Sequence, residues 1–448
     1  MELWQEAEVK AERARAHGDA AGAANALYEA ACADRLLRLQ RKHYSGYLFA
    51  LHYLSGIAPE QLFAAHRVYG ALYRDTEPLP PGGAAHEGLR VGYLAPHFHD
   101  GAAARFYEAM LFLAGRPPGI AIYTYALHPA DDAFSRRVAA NTQYRDLSGR
   151  SIVEAGERIR QDGLDLLIDL GGHSAGGETL PVFALRPAPI QAEAMGYFDT
   201  TGLPAMDFLL TDEGLDPAGS PHFATERLAC LQPSLFCFTP TAEMREVREG
   251  QLREERQSGG AFVFGCFQNI LKCSDAWLEA VSKILQEAKT SRLILQDVLP
   301  LPERLAAVRG RCARAGLPMD RVTIRGGREA YLSDYAAVDL VLDTFPYPGG
   351  AMTATALYLG VPVLTLAGDH HSARFGAAIL RAAGRTNWVA NTAEDYVARA
   401  IAASREPARV RAERRRLLET LPASALLDGK GYQKALLSLY QSLKGGAT

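Results

Sequence analysis

The chain has 448 residues, 48% of them hydrophobic and 22% charged, and 48 Lys plus Arg nearly balance 51 Asp plus Glu for a formal net charge of -3. That composition excludes a disordered chain, and without a basic field nothing points to nucleic acid as a partner. The length exceeds one ordinary core and calls for two or three domains.

Residues 1–76 show only helical periodicity, with Ala-rich amphipathic spacing through 23–40 and again through 58–73. The spacing predicts an all-helical domain, one degenerate helix-pair repeat at most. Its apolar residues, including Leu36, Leu39, Tyr47, Leu48, Leu51 and Tyr53, are too numerous for a solvated helix pair, so it is expected to pack on the domain that begins at Leu89. The N-terminus is charged and lacks the apolar stretch of a secretory signal, and no later segment is an apolar run of membrane length. A cytoplasmic protein without membrane insertion is the corresponding expectation. EPLPPGGAAHEG (77–88) interrupts both periodicities and reads as a linker.

From Leu89 short apolar runs alternate with helical segments: 89–94, 120–127, 164–170, 189–197 and 208–213. After the charge-rich stretch 243–260 a second series occupies 261–267, 292–296, 321–325, 340–344 and 362–367. Buried strands separated by helices predict two mainly parallel, doubly wound sheets. The expected division is 1–76 helical, 89–240 a first Rossmann-like domain, 261–400 a second, and 401–448 C-terminal helices. The basic segment 405–418 lacks interleaved aromatics and reads as a solvated helix face. Six scattered cysteines without C-x-x-C spacing read as reduced core residues, not as zinc ligands.

The stretch LDTFPYPGGAMTATALYLGVPVLTLAGDHHSARFG (342–376) carries the most chemistry. A buried strand breaks at Pro346, Pro348 and the Gly349–Gly350 pair, and a helix is expected from near Met352. Such a joint frees backbone amides where a phosphate can be held, which points to a nucleotide-linked substrate. The same order of elements also serves as a plain α/β connection.

The runs DLLIDLGGHSAGG (165–177), ALRPAPIQ (184–191), GYFDTTG (196–202), AMDFLLTDE (205–213), FGCFQNILK (264–272) and LDTFPYPGG (342–350) occur in one order. Together they resemble the protein O-GlcNAc transferase family and its bacterial relatives, over roughly residues 89–400. The resemblance implies a GT-B fold: two Rossmann-like domains facing a cleft, here preceded by a small helical domain. It also implies transfer of a hexose or N-acetylhexosamine from a UDP-sugar to a protein Ser or Thr, with N-glucosylating relatives acting on Asn. No metal cofactor is implied, and the sequence contains no D-x-D pair to chelate one on a sugar diphosphate. Lys272 matches the family's diphosphate lysine. Gln268, Asn269, Pro348, Gly349, Gly350, Thr353 and Thr355 would line the donor, and Tyr197, Thr200 and Thr201 the acceptor side. Arg186 and Pro187 are expected to fix a strand start. His173 either faces the cleft as a catalytic group or is a core histidine satisfied by a carbonyl.

Two departures stand out. The family's cleft histidine falls on Gly101, leaving His97, His99 and Asp100 as substitutes, and of these His99 is taken as the catalytic candidate. Ala351 and Met352 replace hydroxyl residues, and Thr355 stands where the family holds the ribose with an aspartate. A catalytically silent homologue, acting as regulatory or acceptor-presenting partner of an active glycosyltransferase, is therefore the alternative. A GT-B enzyme of small-molecule metabolism is a third possibility. Assembly with a second copy or a related glycosyltransferase is open to either protein-directed reading.

Overall fold

The computed structural model describes residues 3–82, 86–112, 118–253, 260–297, 301–327 and 331–446. Four helices open the chain: α1 (Leu3–Ala16), α2 (Ala20–Ala33), α3 (Leu37–Leu51) and α4 (Pro59–Ala71). The Asp19 carboxylate caps α2 by accepting from Gly22 N at 2.8 Å, and Pro59 starts α4, where a missing N–H costs nothing. No helix among the described residues is long and apolar enough to cross a membrane.

Beyond the helices lie two parallel sheets. The first holds β1 (Leu89–Ala95), β2 (Ile120–Ala126), β3 (Gln143–Asp146), β4 (Leu166–Asp169), β5 (Ile190–Glu193), β6 (Phe208–Thr211) and β7 (Arg227–Cys230), in the order β3-β2-β1-β4-β5-β6-β7. The second holds β8 (Val263–Cys266), β9 (Arg292–Asp297), β10 (Val322–Gly326), β11 (Leu340–Leu342), β12 (Val363–Leu366) and β13 (Val389–Ala390), ordered β10-β9-β8-β11-β12-β13. In each sheet the order reverses at its first strand, which opens a crevice at the carboxyl ends of the strands. Tyr93 in β1 pairs with both Thr124 and Ile168, and β4 and β11 are buried at every position, as apolar runs covered on both faces should be.

All ten strands read from the sequence are present. Three more, β3, β7 and β13, lie at sheet edges. QYRD and RLAC carry too few apolar side chains to signal a strand, because an edge strand need not be buried on both faces. The charge-rich stretch becomes, in its first part, the helix Ala242–Arg253; residues 254–259 lie outside the described ones. Its Arg248 is buried and hydrogen-bonds the carbonyls of Tyr358 and Leu418. The basic segment forms the helix Pro407–Thr420, which buries Val410, Leu417 and Leu418, and its Arg414 donates to Val338 O at 3.2 Å. It is thus partly a packing face. Four cysteines are buried, while Cys32 and Cys230 are exposed, contrary to the reading of all six as core.

The helical head packs on the first unit, as expected from its apolar content. Leu48, Leu51, Tyr69 and Tyr73 join Leu94, Leu167 and Phe183 in one core. Leu36, however, stays 61% exposed. The head also reaches the second unit: Arg304 Nη1 donates to Arg15 O at 2.9 Å, and Arg311 Nη1 to Gly18 O at 2.7 Å. The linker lies along the first unit, with Leu79 N donating to Leu185 O at 2.7 Å. The last helix, Gly429–Gly445, returns to the first sheet, where Lys444 Nζ reaches Gly88 O at 2.7 Å and Tyr440 OH lies 3.1 Å from Tyr93 OH.

Deleting residues 1–76 would uncover Tyr197 and the shared core, so the truncated chain is expected to aggregate. Light scattering after size-exclusion chromatography checks this; a soluble monomer with an unchanged unfolding temperature would show that the head is dispensable.

Candidate active site

The candidate donor site begins with a carboxylate that the sequence reading passed over. Asp343 comes directly after β11 and is fully buried. Its Oδ1 accepts from Gly349 N at 2.8 Å and Thr344 N at 3.0 Å, and its Oδ2 accepts from Thr365 Oγ1 at 2.9 Å. Its backbone carbonyl receives Trp277 Nε1 at 2.9 Å and Tyr396 OH at 2.8 Å. Burial pushes the carboxyl up to about 6, against the pull of those donors and of Lys272. An aspartate at a strand end shortly before a Gly pair is the one signal that could have disclosed it.

Asp343 thereby folds the turn Thr344–Gly350 into the mouth of the second sheet. A side chain at position 349 would displace its neighbours, because a Cβ would lie 1.8 Å from Gln268 Nε2 and 2.5 Å from Thr353 Oγ1. The helix Ala351–Tyr358 starts just after Gly350, close to the residue expected. Lys272 ends a short 3-10 turn, Ile270–Lys272, beyond β8. Its ammonium donates to Pro348 O at 2.8 Å and stands over the Tyr347 ring at 4.5 Å. Burial lowers its pKa to about 8, with Asp343 opposing the shift. Lys272, Gln268, Pro348, Gly349 and Thr353 are therefore gathered at one turn.

Thr353 is fully buried and its Oγ1 has no hydrogen-bond partner among the described residues, so a hydroxyl is left over beside the turn. Thr355 is buried in the same helix. Asn269 is already engaged: its Oδ1 accepts from Leu271 N at 3.1 Å and from Arg304 Nη2 at 2.9 Å.

The first unit presents a different picture. His173 is buried at 1% exposure, with Nε2 2.9 Å from Thr201 O and Nδ1 2.8 Å from Ser45 Oγ. Both ring nitrogens are thus engaged, one of them at a carbonyl, while the residue also lines a cavity with Asn269 and Leu271. Tyr197 is buried as well, and its hydroxyl bridges His52 Nε2 at 2.6 Å and His66 Nε2 at 2.7 Å, so it anchors the head. Thr200 and Thr201 are turned inward onto the buried Glu226, whose carboxylate accepts both hydroxyls at 2.5 Å and Thr201 N at 2.8 Å. Arg186, at φ 53°, clamps Asp207 at 2.8 Å and so ties the starts of β5 and β6.

In the loop after β1, Asp100 is paired with Arg105. His99 is exposed, and its Nε2 lies 2.7 Å from where a Cβ on Gly101 would stand, so the imidazole covers the glycine. His97 stacks edge-on to it with ring centroids 4.3 Å apart, and burial, then the neighbouring His99 and His128, lower its pKa. At the carboxyl ends of β4 and β5, Asp169 and Glu193 form a buried acid pair that the sequence reading did not single out. Burial pushes Asp169 up to about 6 and, together with Asp169's charge, raises Glu193 far above the usual carboxylate range.

Two doubly wound sheets with crevices at their strand ends place the chain in the GT-B class of glycosyltransferase folds. The model of glycosyl transferase family 41 matches residues 82–258 and 252–436, and the chain belongs to that family. It is 29% identical over 412 residues to a Solanum lycopersicum protein named "Probable UDP-N-acetylglucosamine-peptide N-acetylglucosaminyltransferase SPINDLY", covering 88% of this chain and 43% of that one. A protein of the same name from Eustoma exaltatum subsp. russellianum is 30% identical over 412 residues, covering 88% and 44%. The chain thus spans less than half the length of these curated relatives. Among solved structures, a mutant of the Thermobaculum terrenum O-GlcNAc transferase superposes with a TM-score of 0.85 at 28% identity, over 97% of this chain and 82% of that one. A Rickettsia africae glycosyltransferase shares the fold at a TM-score of 0.50 and 9% identity, over 80% of this chain and 99% of that one.

Asp343→Ala leaves several buried donors unpaired and is expected to destabilise the chain by about 3 kcal/mol or more. Asp343→Asn should recover most of this, since its carbonyl can still accept from both backbone amides while its amide donates to Thr365 Oγ1. Urea unfolding of the two variants checks the order.

Proposed function

We propose that the chain is a glycosyltransferase that moves a hexose or N-acetylhexosamine from a UDP-sugar to a protein side chain, Ser or Thr foremost. What supports this, beyond the family, is the Lys272 ammonium held at Pro348 O, 2.8 Å away, beside the unpartnered Thr353 hydroxyl and the start of the helix Ala351–Tyr358. In this reading the acceptor hydroxyl attacks the anomeric carbon, the bond from that carbon to the β-phosphate oxygen breaks, and the acceptor's proton passes to a base. UDP departs with its charge met by Lys272, Thr353 and helix-terminal amides, so no divalent ion is called for at the diphosphate. The His97–His99 pair is the proposed source of the base: a lowered pKa keeps the His97 imidazole neutral, with a lone pair, at pH 7. A cytoplasmic setting and assembly with a related glycosyltransferase belong to the same proposal.

Two observations favour the silent-homologue reading. Gly349 N–H is already given to Asp343, and Thr355 offers no carboxylate to a ribose. Calorimetric titration with UDP, UDP-glucose and UDP-GlcNAc separates the two. Saturable binding that falls about tenfold or more in Lys272→Ala supports the enzyme. Silence in the natural chain, with binding restored in Thr355→Asp, supports the partner role.

Binding should also depend on pH in one direction. The charged Lys272 is the form that holds a diphosphate, and in the free protein its pKa is lowered to about 8. Affinity is therefore full below pH 8 and falls as pH rises through that value, by up to about tenfold per unit while the ammonium deprotonates. Lys272→Arg, which stays charged, should flatten the decline; an unchanged profile in that variant would place the titrating group elsewhere.

A further inference from the structure

The head and both Rossmann-like units meet at three side chains: His52 just after α3, Asp199 in the loop after β5, and His370 in the loop after β12. Their ligating atoms lie within 4.8 Å of one another. The hydrogen bonds fix which atoms are available. His66 Nδ1 lies 2.7 Å from Leu62 O and must donate to it, so His66 Nε2 accepts from Tyr197 OH. The Tyr197 oxygen is then the acceptor for His52 Nε2–H at 2.6 Å, which leaves the lone pair of His52 on Nδ1. That nitrogen faces Asp199 Oδ2 at 3.9 Å, while Asp199 Oδ1 is held by Thr200 N at 2.8 Å. Two electron-rich atoms thus point toward one another, with only the Ser372 hydroxyl, 2.8 Å from Nδ1, donating to the nitrogen. On His370, Nδ1 lies 2.8 Å from Asp369 Oδ1, which fixes the ring and leaves its lone pair on Nε2.

We propose that His52, Asp199 and His370 form a site for one zinc-class divalent cation that ties the helical head to both Rossmann-like units. Two imidazoles and a carboxylate are a borderline-soft donor set, suited to Zn(II) and not to Mg(II) or Ca(II). Each candidate ligand has its other polar atom held by a neighbour, the outer-shell arrangement that orients metal ligands. Ligands about 2.1 Å from one tetrahedral ion stand about 3.4 Å apart, so the candidate atoms, 3.9 Å apart for His52 Nδ1 and Asp199 Oδ2 and within 4.8 Å as a set, would close by about 1 Å on binding. Asp199 and His370, but not His52, also line an adjoining cavity of about 20 Å3, enough for one water-sized body. Asp216, His371 and Arg374 share its wall, but Asp216 and His371 pair at 2.7 Å and the Arg374 guanidinium is spent on the carbonyls of Leu215, Gly368 and Asp369. A water or the Ser372 hydroxyl would complete the coordination. The site borders the diphosphate turn, since the His52 ring lies 5.8 Å from that of Tyr347, but it uses none of the residues named for the donor, and the inference does not depend on the proposed transfer.

The test uses the full chain, stripped of metal and titrated with Zn(II) against a chromophoric chelator. One equivalent should bind, Co(II) in its place should give the visible bands of a four-coordinate ion, and the unfolding temperature should rise with metal. His370→Ala, at a partly exposed position, should abolish this saturable site, and Asp369→Asn should weaken it about 10–100-fold. His128→Ala, which removes the exposed pair with Glu178 at 2.8 Å, should leave it intact. Absence of the single equivalent in the natural chain, or equal binding by His370→Ala and Asp199→Asn, would overturn the proposal.

Discussion

The buried Asp343 carboxylate is the constraint on which the second unit depends. A charged or half-protonated group at zero exposure persists only if its oxygens are matched, and here the match comes from both ends of a turn and from the neighbouring strand. Satisfying it forces the chain after β11 to double back, so that a side chain at Gly349 would displace the Gln268 amide. The same carboxylate supplies the field that partly offsets the desolvation of Lys272. Strand end, turn, lysine and helix start are thus one electrostatic unit.

A second junction, around Tyr197, decides how the units sit. Its hydroxyl joins His52 and His66 of the head to the loop after β5, while His52 reaches on to Ser372 of the second unit and packs its ring 5.8 Å from Tyr347. Sharing buried polar groups among three units makes their separation costly, because each would be left with unpaired atoms in a dry interface. The head is therefore a strap across the two sheets, a tighter role than packing on the first alone.

Most of the fold was legible because fully covered parallel strands write themselves as apolar runs; edge strands such as QYRD do not. The turn after β11 was legible because Pro346, Pro348 and the Gly pair can do little but turn. The loop after β5 was less so. Thr200, Thr201 and Tyr197 look like surface-ready polar groups in a loop sequence, yet each is consumed by a partner far along the chain, Glu226 25 or 26 residues away and His52 145 away. A local motif shows which groups exist, not which are already paired. Asp343 escaped notice for the converse reason, since a lone aspartate at a strand end carries no pattern of its own.

The replacements around the donor turn shift its balance of forces. A carboxylate in the place of Thr355 would bind ribose hydroxyls but also repel a diphosphate held nearby. With Thr355 buried and neutral, Asp343 is the carboxylate whose field reaches Lys272, so at the proposed site an incoming anion would meet less opposing charge than the family pattern would leave. In the proposed site the nucleoside end of a donor would lose an anchor while the phosphate end would keep the lysine, the spare hydroxyl and the helix start. Such a site relies on the diphosphate for most of its grip, so its selectivity among nucleotides should be weaker than its preference for a diphosphate over a monophosphate.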